Sequence, residues 1–274
     1  MKRLILSLFV LFACISMQAK LLKVLAIGNS FSEDAVEQYL WELAAAQGDT
    51  LIIGNAYIPG CPIDRHLNDL ETGKAEYAYR KIVDGKKTNT KDIDLKSIIE
   101  DERWDIISLQ QASPNSGEPE TYANLPKLKE KVLALATNKD VEIVWHLTWA
   151  YAHDATHEGF KKYGNDQRKM YDAILLSVRQ ELPKAGIKRI IPSGIAIQNM
   201  RKKIGDYLNR DGFHLSYSIG RYTAACTWCE FLTGKSVVGN PYHPQNIYAD
   251  EALKAQKAAH KAFCQLPKIF LFAK

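Results

Sequence analysis

The sequence predicts a doubly wound α/β fold, a parallel sheet with helices on both faces. Five short apolar runs follow one another along the chain, at 22–27, 51–57, 104–110, 141–149 and 188–192. Segments with helical spacing of apolar residues lie between and after them, at 34–47, 95–102, 125–138, 165–182, 218–232 and 250–263. Strands that alternate with helices need crossover connections, and right-handed crossovers put helices on both sides of one sheet. The first run is continuous rather than alternating, as suits a strand covered on both faces.

Taken in order, the chain opens with Lys2 and Arg3, an apolar run over 4–13, and small or polar residues ending at Ala19. That run is too short to span a bilayer and reads as a secretory signal, residues 1–19, cleaved after Ala19. Leu11-Phe12-Ala13-Cys14 offers a second reading, a lipoprotein signal with a lipid anchor on Cys14. Either way the expected location is periplasmic or extracellular. Residues 20–274 are then one domain, large enough to bury a core without staples, with no further run long enough to span a membrane.

The first run breaks at Gly28 and delivers Ser30 to a strand-to-helix junction, where unpaired backbone N–H groups favour developing negative charge. Ser30 with Glu33 also fits a capping box, and Ser32 is a second candidate cap. The second run leads to Pro59-Gly60-Cys61-Pro62, a rigid turn with an accessible N–H. Residues 77–90 surround Asp84-Gly85, a two-residue turn signal, and predict an inserted hairpin. The third run leads to Gln110, Gln111, Ser113 and Asn115, and the fourth to Trp149, Tyr151, His153 and His157. Ligands of open parallel sheets bind beyond the carboxyl ends of the strands, so these are the residues to weigh.

Near the end lies Arg210-Asp211-Gly212-Phe213-His214. A carboxylate three residues before a histidine in a tight turn can hold one ring nitrogen while the other faces a nucleophile. With Ser30 this makes a Ser, Asp, His set, although no Gly-x-Ser-x-Gly elbow occurs.

Other classes recede. The net charge of +5 comes from scattered Lys and Arg, which does not suggest nucleic acid. Cys61, Cys226, Cys229 and Cys264 are too few for a disulfide scaffold, and the Cys226, Cys229 pair falls in a helical pattern as buried thiols. His153 and His157 lack a carboxylate cluster of clear ligand spacing, so neither a metal nor a cofactor is expected.

Gly28-Asn29-Ser30, the lone Gly60, the polar cluster from Gln110 to Asn115, and Asp211-Gly212-Phe213-His214 resemble, in that order, the blocks of the SGNH (GDSL-type) hydrolase superfamily. They look closest to a bacterial branch with Gly-Asn-Ser first and Leu109-Gln110-Gln111 as the third block. The resemblance implies a flavodoxin-like three-layer α/β/α sandwich with about five parallel strands. It assigns Ser30 as nucleophile, His214 as base and Asp211 as its orienting carboxylate. The implied oxyanion donors are the N–H groups of Ser30 and Gly60 plus a side-chain amide. The usual Gly-x-Asn-Asp block is missing, so Gln110 is the first choice for that amide, with Gln111 and Asn115 as alternatives. Asn29 takes the place of a more usual acidic residue and is read as a turn former.

Tyr122, Trp149 and Tyr151 are candidate platforms for sugar rings, whereas Trp145 lies in a strand and reads as core. The expected protein is a secreted serine esterase acting on acylated, above all acetylated, carbohydrate or another small ester. A lipase or thioesterase of the same superfamily and a non-catalytic sugar-binding relative are the alternatives.

Overall fold

The computed structural model describes residues 20–271, so the signal segment 1–19 and Cys14 lie outside the described residues. In chain order the elements are β1 (Leu21–Gly28), α1 (Ser30–Val36), α2 (Leu40–Ala45), β2 (Thr50–Tyr57), α3 (Ile63–Thr72), β3 (Tyr77–Val83), β4 (Lys86–Ile93), α4 (Leu95–Glu100), β5 (Ile106–Leu109) and α5 (Leu125–Leu135). They continue as β6 (Glu142–His146), α6 (Gln167–Glu181), β7 (Ile190–Ile191), α7 (Ser193–Ile204), α8 (Ile219–Thr233) and α9 (Ala249–Ile269).

The strands form one sheet in the order β4-β3-β2-β1-β5-β6-β7. The five predicted strands are all present and parallel, in the order β2-β1-β5-β6-β7. The hairpin predicted around Asp84-Gly85 adds β3 and β4 antiparallel at the β2 edge, which raises the strand number to seven. Asp84 and Gly85 both have positive φ, as a tight two-residue hairpin turn requires.

Helices α1, α2, α7, α8 and α9 pack together on one face of the sheet, and α3, α4 and α5 on the other, where α6 joins through the short turns at 119–122 and 158–163. Helix α8 is buried over Gly220–Leu232, mostly apolar around its circumference, with its few buried polar side chains such as Arg221 partnered. Its Cys226 and Cys229 are buried free thiols, and burial pushes the Cys229 thiol up to about 12. Among the described residues no helix is long and apolar enough to cross a membrane.

Local departures have physical causes. The helix expected over 34–47 is two helices, because Tyr39 adopts a left-handed backbone (φ 69) between them. Helix α7 was not visible in the pattern because Ser193 to Ile197 and Asn199 to Arg201 are all buried, which erases the one-sided spacing a surface helix shows. Strand β6 ends at His146, so Trp149 lies in the loop beyond it.

Candidate active site

Chain connections leave β1 toward β2 on one side and reach β5 on the other, which opens a crevice at the carboxyl end of β1. Ser30 stands there, one residue beyond the cap of α1. The cap is Asn29, whose Oδ1 accepts the Phe31 N–H at 3.0 Å. The capping role anticipated for Ser30 or Ser32 therefore belongs to Asn29. Ser32 is fully buried, with Oγ 2.7 Å from Asn29 O and 2.8 Å from Asn55 Oδ1. Ser30 is half-buried, and its hydroxyl makes no hydrogen bond among the described residues. The two serines thus have separate roles: one braces the turn and the other is left available.

Gly28 is what lets these groups close up. A Cβ there would lie 2.6 Å from Ser32 Oγ and 2.9 Å from Gln110 Cδ, closer than real contacts allow. Across this gap Gln110 Nε2 donates to Asn29 Oδ1 at 2.8 Å, and Asn29 Nδ2 donates to the Cys61 carbonyl at 3.1 Å. The donor logic continues inward. Because Gln110 gives its amino group to Asn29, its carbonyl faces His146, whose Nδ1 at 2.8 Å must carry the proton. Burial lowers the His146 pKa to about 3, so the ring is neutral.

This relay ties the Gly60 turn to the serine turn, helped by Ile58 N–H donating to Gly28 O at 3.4 Å. Gly60 is exposed with φ 60, a left-handed backbone that favours glycine, and its N–H is unused among the described residues. Gln110, the amide expected first as third oxyanion donor, commits one N–H to Asn29, and its Nε2 makes no other hydrogen bond among the described residues. Gln111 is fully engaged: Nε2 donates to Thr121, and Oε1 accepts from Ile63 N–H and Ala112 N–H. Asn115 accepts from Lys162 Nζ at 3.2 Å.

The Asp211, His214 turn is built as the spacing suggested. Asp211 Oδ1 accepts the N–H groups of Phe213 (3.2 Å) and His214 (2.8 Å), while Oδ2 lies 2.6 Å from His214 Nδ1. Burial pushes the Asp211 carboxyl up, but the hydrogen bonds from the His214 ring and these two N–H groups prevail and hold it below the usual range. The turn is locked to the serine helix by Asp34, which is fully buried. Its Oδ2 accepts Leu215 N–H at 2.7 Å, and Oδ1 lies 3.0 Å from Arg210 and 2.6 Å from Arg221. Trp149 stacks on Phe31 at 4.3 Å and donates Nε1–H to Phe213 O at 2.9 Å, so it supports both halves of the site.

That arrangement corrects the sugar-platform expectation. Trp149, Tyr151 and Tyr122 are all buried. The Tyr122 hydroxyl donates to Ser116 O and its ring lies against Trp145; the Tyr151 hydroxyl is 2.8 Å from Ser113 Oγ. Large aromatic faces at the end of a short sheet are worth more inside the core than at its rim.

Asp34, Arg210, Arg221, His146 and His157 were not singled out as site residues for these roles. His157 Nδ1 accepts the Gly159 N–H at 2.9 Å, and its ring stands edge-on to Phe213 at 4.8 Å, next to His214. Burial and the neighbouring His214 lower its pKa, which favours a neutral ring with the proton on Nε2. His153 forms a second histidine–carboxylate pair, with Nδ1 2.6 Å from Asp206 Oδ2. Among the described residues no group of His, Cys, Asp and Glu is placed to hold a metal ion.

The model of a family described as a domain of unknown function, DUF4886, matches residues 23–262. The crystal structure of a DUF4886 family protein from Bacteroides uniformis is 51% identical, with 89% of this chain and 95% of that chain covered and a TM-score of 0.87. A protein provisionally described as a GDSL-like lipase, from Parabacteroides merdae, is 17% identical over 79% of this chain and 98% of its own, with a TM-score of 0.52. LAE5, an α/β hydrolase from the metagenome of Lake Arreo, is 11% identical over 79% and 97%, with a TM-score of 0.50. These two likenesses concern the fold. No curated protein matches the chain. The chain belongs to the DUF4886 family, built on the three-layer α/β fold of GDSL-like hydrolases.

Proposed function

We propose that this protein is an exported serine esterase that removes short acyl groups, acetyl above all, from carbohydrate. The observation that carries the reading is an unbonded Ser30 hydroxyl on the same helix whose Asp34 anchors an Asp211-oriented His214.

In this mechanism the ester carbonyl oxygen is held by the backbone N–H groups of Ser30 and Gly60, with the second N–H of the Gln110 amide as third donor. Ser30 Oγ attacks the carbonyl carbon while its proton passes to His214 Nε2. His214 then returns that proton to the departing sugar oxygen, and the acyl group stays on Ser30. Water attacks the acyl-enzyme, gives a proton to His214, and releases the carboxylic acid as Ser30 takes that proton back. Asp211 stays ionised throughout and fixes the proton of His214 on Nδ1. A purely sugar-binding role is the second reading, and it draws on the commitment of one Gln110 N–H to Asn29.

Hydrolysis of 4-nitrophenyl acetate tests the choice. Ser30→Ala is expected to lower turnover by about four to six orders of magnitude, with melting unchanged because the hydroxyl makes no hydrogen bond among the described residues. Turnover retained at near the parental rate in Ser30→Ala overturns the mechanism.

A further inference from the structure

A cleft of about 560 Å³ opens beside the triad turn, with Asp211 and Gly212 in its wall. That size falls within the about 300–1,000 Å³ usual for small-ligand clefts. Ser30, Gly60 and His214 do not line it, so it lies beside the Asp211 turn and outside the candidate site proper.

Several polar groups of the lining are already spent. Asp206 serves His153, Gln167 and Arg201; Asn209 bonds Arg201 and the His214 carbonyl; Arg210 holds Asp34. Three side chains are not: Asp154, Thr156 and Tyr207 make no hydrogen bond among the described residues. Tyr207 is also 85% exposed and touches no other ring. An aromatic of this size carries a large apolar face and a polar tip, and both are unpartnered here. An anionic ligand would meet the carboxylates of Asp154, Asp206 and Asp211. An acyl chain would have to share what apolar wall there is with the Asp154 carboxylate and the Thr156 hydroxyl, which it cannot satisfy. A neutral ring with an apolar C–H face and a rim of hydroxyls meets both kinds of free group.

The geometry points to a carbohydrate subsite in this cleft, where Tyr207 stacks on a neutral sugar ring and Asp154 and Thr156 hydrogen-bond its hydroxyls. Its place in the reaction rests on the esterase reading: the ring held here neighbours the one that carries the acyl group.

The test uses the folded, inactive Ser30→Ala protein and linear oligosaccharides of xylose, mannose and N-acetylglucosamine, with binding followed by calorimetry. At least one oligosaccharide is expected to bind, and adding Tyr207→Ala to weaken it tenfold or more, with Asp154→Ala weakening it by a smaller factor. In the active enzyme, Tyr207→Ala should raise KM for the acetylated form of that oligosaccharide at least tenfold more than it changes KM for 4-nitrophenyl acetate. Unaltered melting curves establish that the variants fold. Binding by none of the three sugars, or binding indifferent to Tyr207→Ala, overturns the subsite. Tyr207-dependent binding by a parent that hydrolyses no ester keeps the subsite and removes the esterase reading; ester hydrolysis without sugar binding does the reverse.

Discussion

Two of the three histidine–carboxylate pairs among the described residues, His214–Asp211 and His153–Asp206, have nearly the same local geometry. In each, Nδ1 lies 2.6 Å from a carboxylate oxygen and the histidine's own N–H donates to the same aspartate, at 2.8 Å for His214 on Asp211 and 3.1 Å for His153 on Asp206. Their surroundings differ. The His214 ring is 19% exposed, sits between Phe31 and Phe213, and belongs to a turn that Asp34 ties to the serine helix. The His153 ring is 75% exposed, and Asp206 is shared with Arg201 and Gln167. A dyad becomes a candidate base through what orders its free nitrogen and what nucleophile stands before it. The aspartate contact alone does not distinguish the two.

Removing each histidine separates them most sharply. His214→Ala is expected to lower 4-nitrophenyl acetate turnover by about four to six orders of magnitude, much as loss of the nucleophile does. His153→Ala should cost less than about threefold, the scale expected away from the reacting atoms. Equal losses in the two variants, measured as kcat, would erase the distinction.

The carboxylates should separate in kind as well as size. Asp211→Asn is expected to lower kcat by about two to four orders of magnitude through loss of ring orientation, with little change in melting. Asp206→Asn leaves the Arg201 guanidinium, 5% exposed, without its anionic partner at 2.6 Å. Its effect should be on stability, about 3 kcal/mol in urea unfolding, with kcat for the nitrophenyl ester nearly kept.

These contrasts also show why part of the site was legible in the sequence and part was not. Asp211 and His214 were readable because their contact is local, three residues apart in one turn. The five parallel strands were readable because buried strands are apolar runs that alternate with helical patterns, and the hairpin because Asp84-Gly85 fits one kind of turn. The cap on α1 was not, since Asn29, Ser30 and Ser32 all suit that position. What selects Asn29 is its bond to Gln110, 81 residues away. Asp34 was hidden for the same reason, because its partner N–H on Leu215 is 181 residues distant. Tyr122, Trp149 and Tyr151 have the composition of sugar platforms, and only three-dimensional packing assigns them to the core.

A smaller effect sharpens the contrast between paired and buried histidines. Burial lowers the pKa of both His66 and His146 to about 3, against about 6.5 in an unfolded chain. Below about pH 6.5 the unfolded state binds protons that the native state refuses, so stability should fall as pH drops from there toward 3. The slope approaches about 1.4 kcal/mol per pH unit for each histidine. The His153 pKa is raised instead, first by its hydrogen bond to Asp206, so its contribution is present at low pH and lost as pH rises; at this exposure it is minor. Urea unfolding at pH 7 and pH 5 should show the fall, and His146→Gln should reduce its slope. A parent equally stable at both values would contradict the buried, neutral assignment.

Covalent trapping tests the central claim most directly. The account holds that Ser30 is a nucleophile activated by His214 and that Ser32, two residues on, is a brace. Incubation with a serine-directed aryl phosphonate followed by peptide mass spectrometry should place one phosphonyl group on Ser30, with labelling abolished in Ser30→Ala and strongly slowed in His214→Ala. An unlabelled Ser30, or an adduct that survives Ser30→Ala at the same rate, would contradict it.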